Sequence, residues 1–149
     1  MMPARLGIAL AMAAALALSG CGDNRLDSGE LHDKATEACS KAHQQLLKIP
    51  DPVNDSQVQP FLTSSAAIMG QLSAALKGLQ PPSDVQDSWN LAVALVNDQA
   101  AGLQKASRQL QQGGDPVVVL RNVADQTTQS SERERASWDA LGIEACANR

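Results

Sequence analysis

The sequence predicts an all-α domain, an antiparallel up-down four-helix bundle tied by one disulfide between Cys39 and Cys146. Three observations carry this expectation. Apolar residues recur at spacings of three and four through four stretches, the period of a helix with one buried face. Proline and glycine punctuate those stretches at Pro50-Asp51-Pro52, Pro81-Pro82 and Gly113-Gly114. The one run that favours a strand, Val117 to Val119, has no second strand to pair with, and a lone strand is not stable.

Helix one is expected to start at Asp27, with Glu30 three residues on as the second half of a capping box. Leu31, Ala35, Ala38, Ala42, Leu46 and Ile49 form its inward stripe, bordered by Cys39, and Pro50 ends it. Helix two is expected from a Ser56/Gln59 cap, with Pro60 tolerated in the first turn and Phe61, Ile68, Leu72, Ala75, Leu76 and Leu79 on one side. Helix three, the longest and most regular, follows a Ser83/Gln86 capping box. Asp84 and Asp87 sit near the positive end of its dipole, and Val85, Trp89, Ala92, Val96, Ala100, Leu103 and Leu110 face inward. Gly113-Gly114 ends it. Asp115 caps helix four, Pro116 occupies its first position, and the helix runs past Trp138 to Leu141, where Gly142 is the C-cap glycine.

Four such helices joined by short turns form an up-down-up-down bundle. Both ends of the domain then lie at one pole, and the tail from Gly142 to Cys146 can fold back along helix one to reach Cys39.

The N-terminus carries a different signal. Arg5 supplies one positive charge, and Leu6 to Leu18 is an apolar run of about thirteen residues, short of the roughly 20 that span a bilayer and typical of a signal-peptide core. Leu18-Ser19-Gly20-Cys21 closes it and resembles a bacterial lipobox. The resemblance implies that residues 1–20 are removed, that Cys21 carries acyl chains such as palmitate, that residues 21–26 are a lipidated tether, and that residues 27–149 are the bundle. Two or more chains give stable anchoring where one is marginal. The expected location is therefore the cell membrane, lipid-anchored and facing away from the cytoplasm. Position 22 is Gly rather than the Asp that marks inner-membrane retention, which leaves the outer membrane open if the source is Gram-negative.

With Cys21 used by lipid, the odd count of three cysteines resolves into one pair, and an exported compartment favours its oxidation.

Cys39 in helix one, the Leu76-Lys77-Gly78-Leu79-Gln80-Pro81-Pro82 helix end and the tail from Trp138 to Cys146 form a set. Together they resemble a class of small secreted proteins and lipoproteins of actinobacteria that end a helical domain in a Leu-Gly-apolar-x-x-Cys tail. The resemblance covers residues 31–146. It implies a disulfide-tied helical bundle in the cell envelope and brings no catalytic residues with it.

Composition narrows the function. The chain carries 12 Lys and Arg against 16 Asp and Glu; losing Arg5 with the leader leaves 11 against 16, a net charge of −5. That balance argues against nucleic acid as a partner. Phe61, Trp89 and Trp138 are the whole aromatic inventory, too few for base stacking or aromatic sugar sites. His32 and His43 stand about 16 Å apart on one helix, too far to share a metal. No serine lies in a nucleophile elbow, and no glycine loop has phosphate-binding spacing. Glu132 and Glu134, interleaved with Arg133 and Arg135, read as a solvated face. No catalytic set, metal site or cofactor follows.

One irregularity stands out. The inward phase of helix four, extended from Val117, Leu120 and Ala124, passes through Thr127 and Ser131 before Trp138, and that of helix two passes through Ser65. Such hydroxyls either bond back to their own helix or line a cavity. The second alternative would be a narrow pocket between helices two and four, with Trp89 or Trp138 as its apolar wall and a volume of at least a few hundred Å³. Two functions follow. The first is a non-catalytic envelope module that presents a rigid bundle to an envelope protein or the cell wall. The alternative is a carrier of a small ligand in that pocket.

Overall fold

The computed structural model describes residues 24–148; the expected leader and Cys21 lie outside them. Five helices follow in order: α1 (Ser28–Leu46), α2 (Asp55–Lys77), α3 (Gln86–Gln111), α4 (Pro116–Ala140) and a single turn, α5 (Glu144–Ala147). Among the described residues there is no strand, and no helix is long and apolar enough to cross a membrane. The long helices alternate in direction, as side-chain pairs across their seams require. Ser73 meets Asn97 and Gln59 meets Ser107 between α2 and α3, and Gln99 meets Glu134 between α3 and α4.

The caps explain most of the boundaries. The Asp27 carboxylate accepts from the Glu30 N–H at 2.8 Å, while the Glu30 carboxylate accepts from the Asp27 N–H. Asp115 caps α4 by accepting from Val117 and Val118. Both glycine-ended helices close in Schellman motifs, with left-handed Gly113 (φ 86°) and Gly142 (φ 70°). In the second, Gly142 N–H donates to Asp139 and Ile143 N–H donates to Trp138. A β-carbon on Gly142 would meet nothing within 4 Å, so the constraint there is backbone conformation alone. Gly142→Ala is therefore expected to cost about 1–2 kcal/mol, read as a lower urea midpoint with an unchanged slope.

Two expected caps are absent. α2 starts ahead of Ser56, at Asp55, with Asn54 as its flanking residue; Ser56 Oγ donates to Asn54 Oδ1, and Gln57 reaches back to the Val53 N–H. Ser83 lies in a turn before α3, and Gln86 is engaged elsewhere, accepting from Arg25 at 2.6 Å.

The main core joins Leu31, Ala35, Cys39 and Ala42 of α1 to Met69, Leu72 and Leu76 of α2, to Trp89, Val93 and Val96 of α3, and to Trp138, Ile143 and Cys146 at the end of the chain. Trp89 and Trp138 pack edge to face, with ring centroids 5.6 Å apart. A smaller core of Val58, Leu62, Ala106 and Val119 holds the far end, where only α2, α3 and α4 meet.

The phases differ from expectation in three places. Cys39 lies in the buried stripe of α1, and Ala38 is only partly buried. On α2 the stripe is Leu62, Met69, Leu72 and Leu76; Phe61 and Ile68 are half-buried and Ala75 is exposed. That helix touches α1, α3 and α4, so its apolar arc is wide and its centre is hard to read. On α4, Val119 is buried, while Val117 and Ala124 are exposed.

The disulfide links Cys39 and Cys146 with Cα atoms 5.1 Å apart, within the normal range. α1 and α4 do not approach each other directly; α5 packs against both and fills the corner between them.

Candidate functional site

The four-residue α5 bounds one end of the site. It fills the corner between α1 and α4 beside Cys39, and α1 itself stops at Leu46. Below that point a groove of about 500 Å³ runs between α3 and α4. Its apolar surface comes from Leu46, Met69, Leu95, Leu103 and Val123, and Gly102 keeps the α3 wall low.

Of the five residues expected to line a pocket, the structure brings two to this groove, Thr127 and Ser131. The other three lie elsewhere. Ser65 is buried on α2, Trp138 is sealed in the core, and Trp89 borders a different cavity near the N-terminal end of α3. The groove thus lies between α3 and α4 rather than between α2 and α4. Its hydroxyls are also used within the helix: Thr127 Oγ1 donates to the Val123 carbonyl and Ser131 Oγ to that of Thr128, as back-bonding predicts.

The residue that sequence reasoning missed is Glu134. Alternation with arginines suggested a solvated face, yet Glu134 is only 4% exposed and lines the groove. Gln99 Nε2 donates to one carboxylate oxygen, and Trp138 Nε1 donates to the other at 3.3 Å. Burying a carboxylate is expensive unless such donors meet it. The sequence held a clue. Glu134 lies four residues before Trp138, so a buried indole places the acid on the same face one turn earlier, with its N–H within reach. Asp98, Arg133 and Arg135 border the same groove but are exposed, where solvent screens their charges.

His32 is exposed beside Asp33, at 3.3 Å, and His43 is half-buried. Among the described residues, no three His, Cys, Asp or Glu side chains are grouped to hold a metal. The groove has the volume of a small-ligand site; among the described residues that line it there is no nucleophile with a base and an orienting acid.

No family model matches the chain, and neither the curated proteins nor the solved structures show a significant similarity to it.

Proposed function

We propose that this chain is a lipid-anchored lipoprotein of the cell envelope, outside the cytoplasm, whose bundle is a non-catalytic carrier of a small, largely apolar ligand in the α3–α4 groove. The lipobox-like Leu18 to Cys21 supports the anchor and the compartment. The disulfide tail supports the same reading, since an oxidised pair suits an exported protein. The observation that carries the ligand reading is the groove itself: an aliphatic strip of Leu46, Met69, Leu95, Leu103 and Val123 beside a buried carboxylate, with exposed charged side chains bordering it, the pattern by which pockets combine apolar burial with orienting polar groups.

A second reading rests on the far end of the bundle. Leu47 and Val53 after α1, and Val117 and Val118 at the start of α4, are all half or more exposed at the pole opposite Leu26. They would serve a module that presents this end to an envelope protein or the cell wall.

One experiment separates these readings. The acylated protein is screened by thermal shift against medium-chain amines, alcohols and acids, alongside Ser131→Phe, which fills the groove, and Cys21→Ala, which removes the anchor. At a hundredfold excess over Kd, a groove ligand is expected to raise Tm by roughly 8–14 °C. Ser131→Phe should abolish the rise while Cys21→Ala keeps it but loses palmitate label and membrane association. A rise unaffected by Ser131→Phe overturns the groove assignment. Palmitate incorporation that persists in Cys21→Ala overturns the anchor.

A further inference from the structure

The middle of α4 is built unlike the rest of the bundle. A helix laid against a core buries side chains on one face of every turn. Every residue from 124 to 129 is exposed, more than a full turn, whereas elsewhere in the long helices no exposed run exceeds three residues. The two ends of α4 are held instead. Val119, with Leu120 and Val123 beside it, packs into the small core. At the other end Glu134 and Trp138 are buried, and Gln99 donates to the Glu134 carboxylate. The stretch from Val123 to Glu134 is about 16 Å of helix.

The groove lies beneath that stretch, lined by Gln126, Thr127, Ser130 and Ser131. Across from Gln126, α3 carries Gly102; a β-carbon there would stand 3.5 Å from Gln126 Oε1. At that point α3 offers no side chain for α4 to pack on. Local chemistry loosens the same turns. Thr127 and Thr128 hydroxyls donate to the Val123 and Ala124 carbonyls, each at 2.9 Å. Ser130 and Ser131 donate to the Thr127 and Thr128 carbonyls at 3.2 and 3.0 Å. Such back-bonds slightly destabilise and bend a helix. Asn122, Asp125, Thr127 and Thr128 are also among the weaker helix formers.

We infer that residues 124–133 of α4 are a movable wall, which opens locally while both ends of the helix stay docked and closes over an occupant of the groove. A segment with few buried apolar contacts and exposed helical turns lies at the low end of local stability. An apolar occupant lying against Val123, Thr127 and Ser131 supplies the contacts that Gly102 does not, so binding shifts the segment towards its closed form. The opening follows from packing alone. Closure over a ligand rests on the groove reading proposed above.

The test is residue-resolved amide exchange on the full chain, free and with N-phenyl-1-naphthylamine, an uncharged apolar fluorophore. In the free chain, protection of amides 126–132 should be about tenfold lower than that of amides 135–138 and of α3 residues 96–106. Saturating fluorophore should raise protection of that segment about tenfold, with little change in α2. Asp125→Ala combined with Thr128→Ala should raise it by about the same factor without any ligand. Each change puts the best helix former in place of a weak one, at an exposed position that does not line the groove. Equal protection of the segment and amides 135–138 in the free chain, or no gain in the double variant, overturns the movable wall. Exchange as fast at 120–123 as at 126–132 is fraying from the helix start and overturns it too. Fluorophore that binds without protecting 126–132 overturns the closure. A segment that opens in a chain taking up no fluorophore supports the opening and removes the groove reading instead.

Discussion

Trp138→Ala is expected to destabilise the domain by about 4 kcal/mol, a large fraction of the 5–15 kcal/mol that holds an ordinary domain folded. Trp138 is fully buried and packs edge to face on Trp89, so its removal leaves a cavity between α3 and α4. It also takes one of the donors from a buried carboxylate, because the indole N–H bonds Glu134. The two effects can be separated. Trp138→Phe keeps much of the ring volume and loses the N–H, and should cost about 1–3 kcal/mol. Trp138→Phe combined with Glu134→Leu should recover part of that loss, because a missing donor no longer matters once the acid is gone. Urea unfolding of the single and double variants measures all three terms. A loss below about 1 kcal/mol for Trp138→Ala would mean that the core is not organised around this ring.

The second large effect is loss of the disulfide. Cys39 and Cys146 close a loop with a sequence separation of 107 residues. Replacing both with alanine is expected to cost roughly 4–5 kcal/mol on chain-entropy grounds. The consequence should be local as well as global. α5 is four residues long and too short to hold a helical conformation alone, so its place between α1 and α4 depends on Cys146 and Ile143. In the double-alanine variant, amide exchange should rise in residues 143–148 well before it rises in α2 and α3. The same variant should lose any groove ligand, because Cys146 and Ala147 form one end of the groove. Equal protection of α5 in both forms would show that packing, not the crosslink, holds it.

How much of this was legible in the sequence depends on which force set each feature. Helix ends governed by local chemistry were readable: the Asp27/Glu30 box, the Asp115-Pro116 start, and the two left-handed glycines all act through residues a few positions apart. The cysteine pairing was readable on the expectation that Cys21 is committed to lipid, which leaves Cys39 and Cys146 as a single choice, and the structure joins those two. Features set by tertiary competition were not. Ser83/Gln86 has the spacing of a capping box, but Gln86 bonds Arg25, which is 61 positions away in sequence, and the helix starts without it. The α2 stripe was misplaced by a fraction of a turn because three neighbours bury most of that helix, and apolar residues then cease to mark one direction.

Glu134 shows the same limit at the candidate site. Charge alternation normally marks solvent, and three of the four residues in Glu132 to Arg135 obey it. The fourth is buried because Trp138 and Gln99 supply donors at the right height, and only the Trp138 part of that is visible along the chain. Thr127 and Ser131 bond back to their own helix, one of the two alternatives the sequence left open, and the groove they also line lies between α3 and α4 rather than between the helices two and four of the other alternative. The groove lies where a one-turn α5 meets a 25-residue α4, a juxtaposition that no residue-by-residue period encodes.

The bond between Cys39 and Cys146 also makes the intervening chain a covalent ring. A protease that cuts it once, for instance where Leu47 and Val53 stand in solvent between α1 and α2, opens the ring but releases no fragment. Both pieces stay on one molecule, held near their original places. Reassembly of the nicked protein is then intramolecular and independent of its concentration. If the chain sits outside the cytoplasm as proposed above, where resynthesis in place is not available, that would convert a lethal cut into a repairable one.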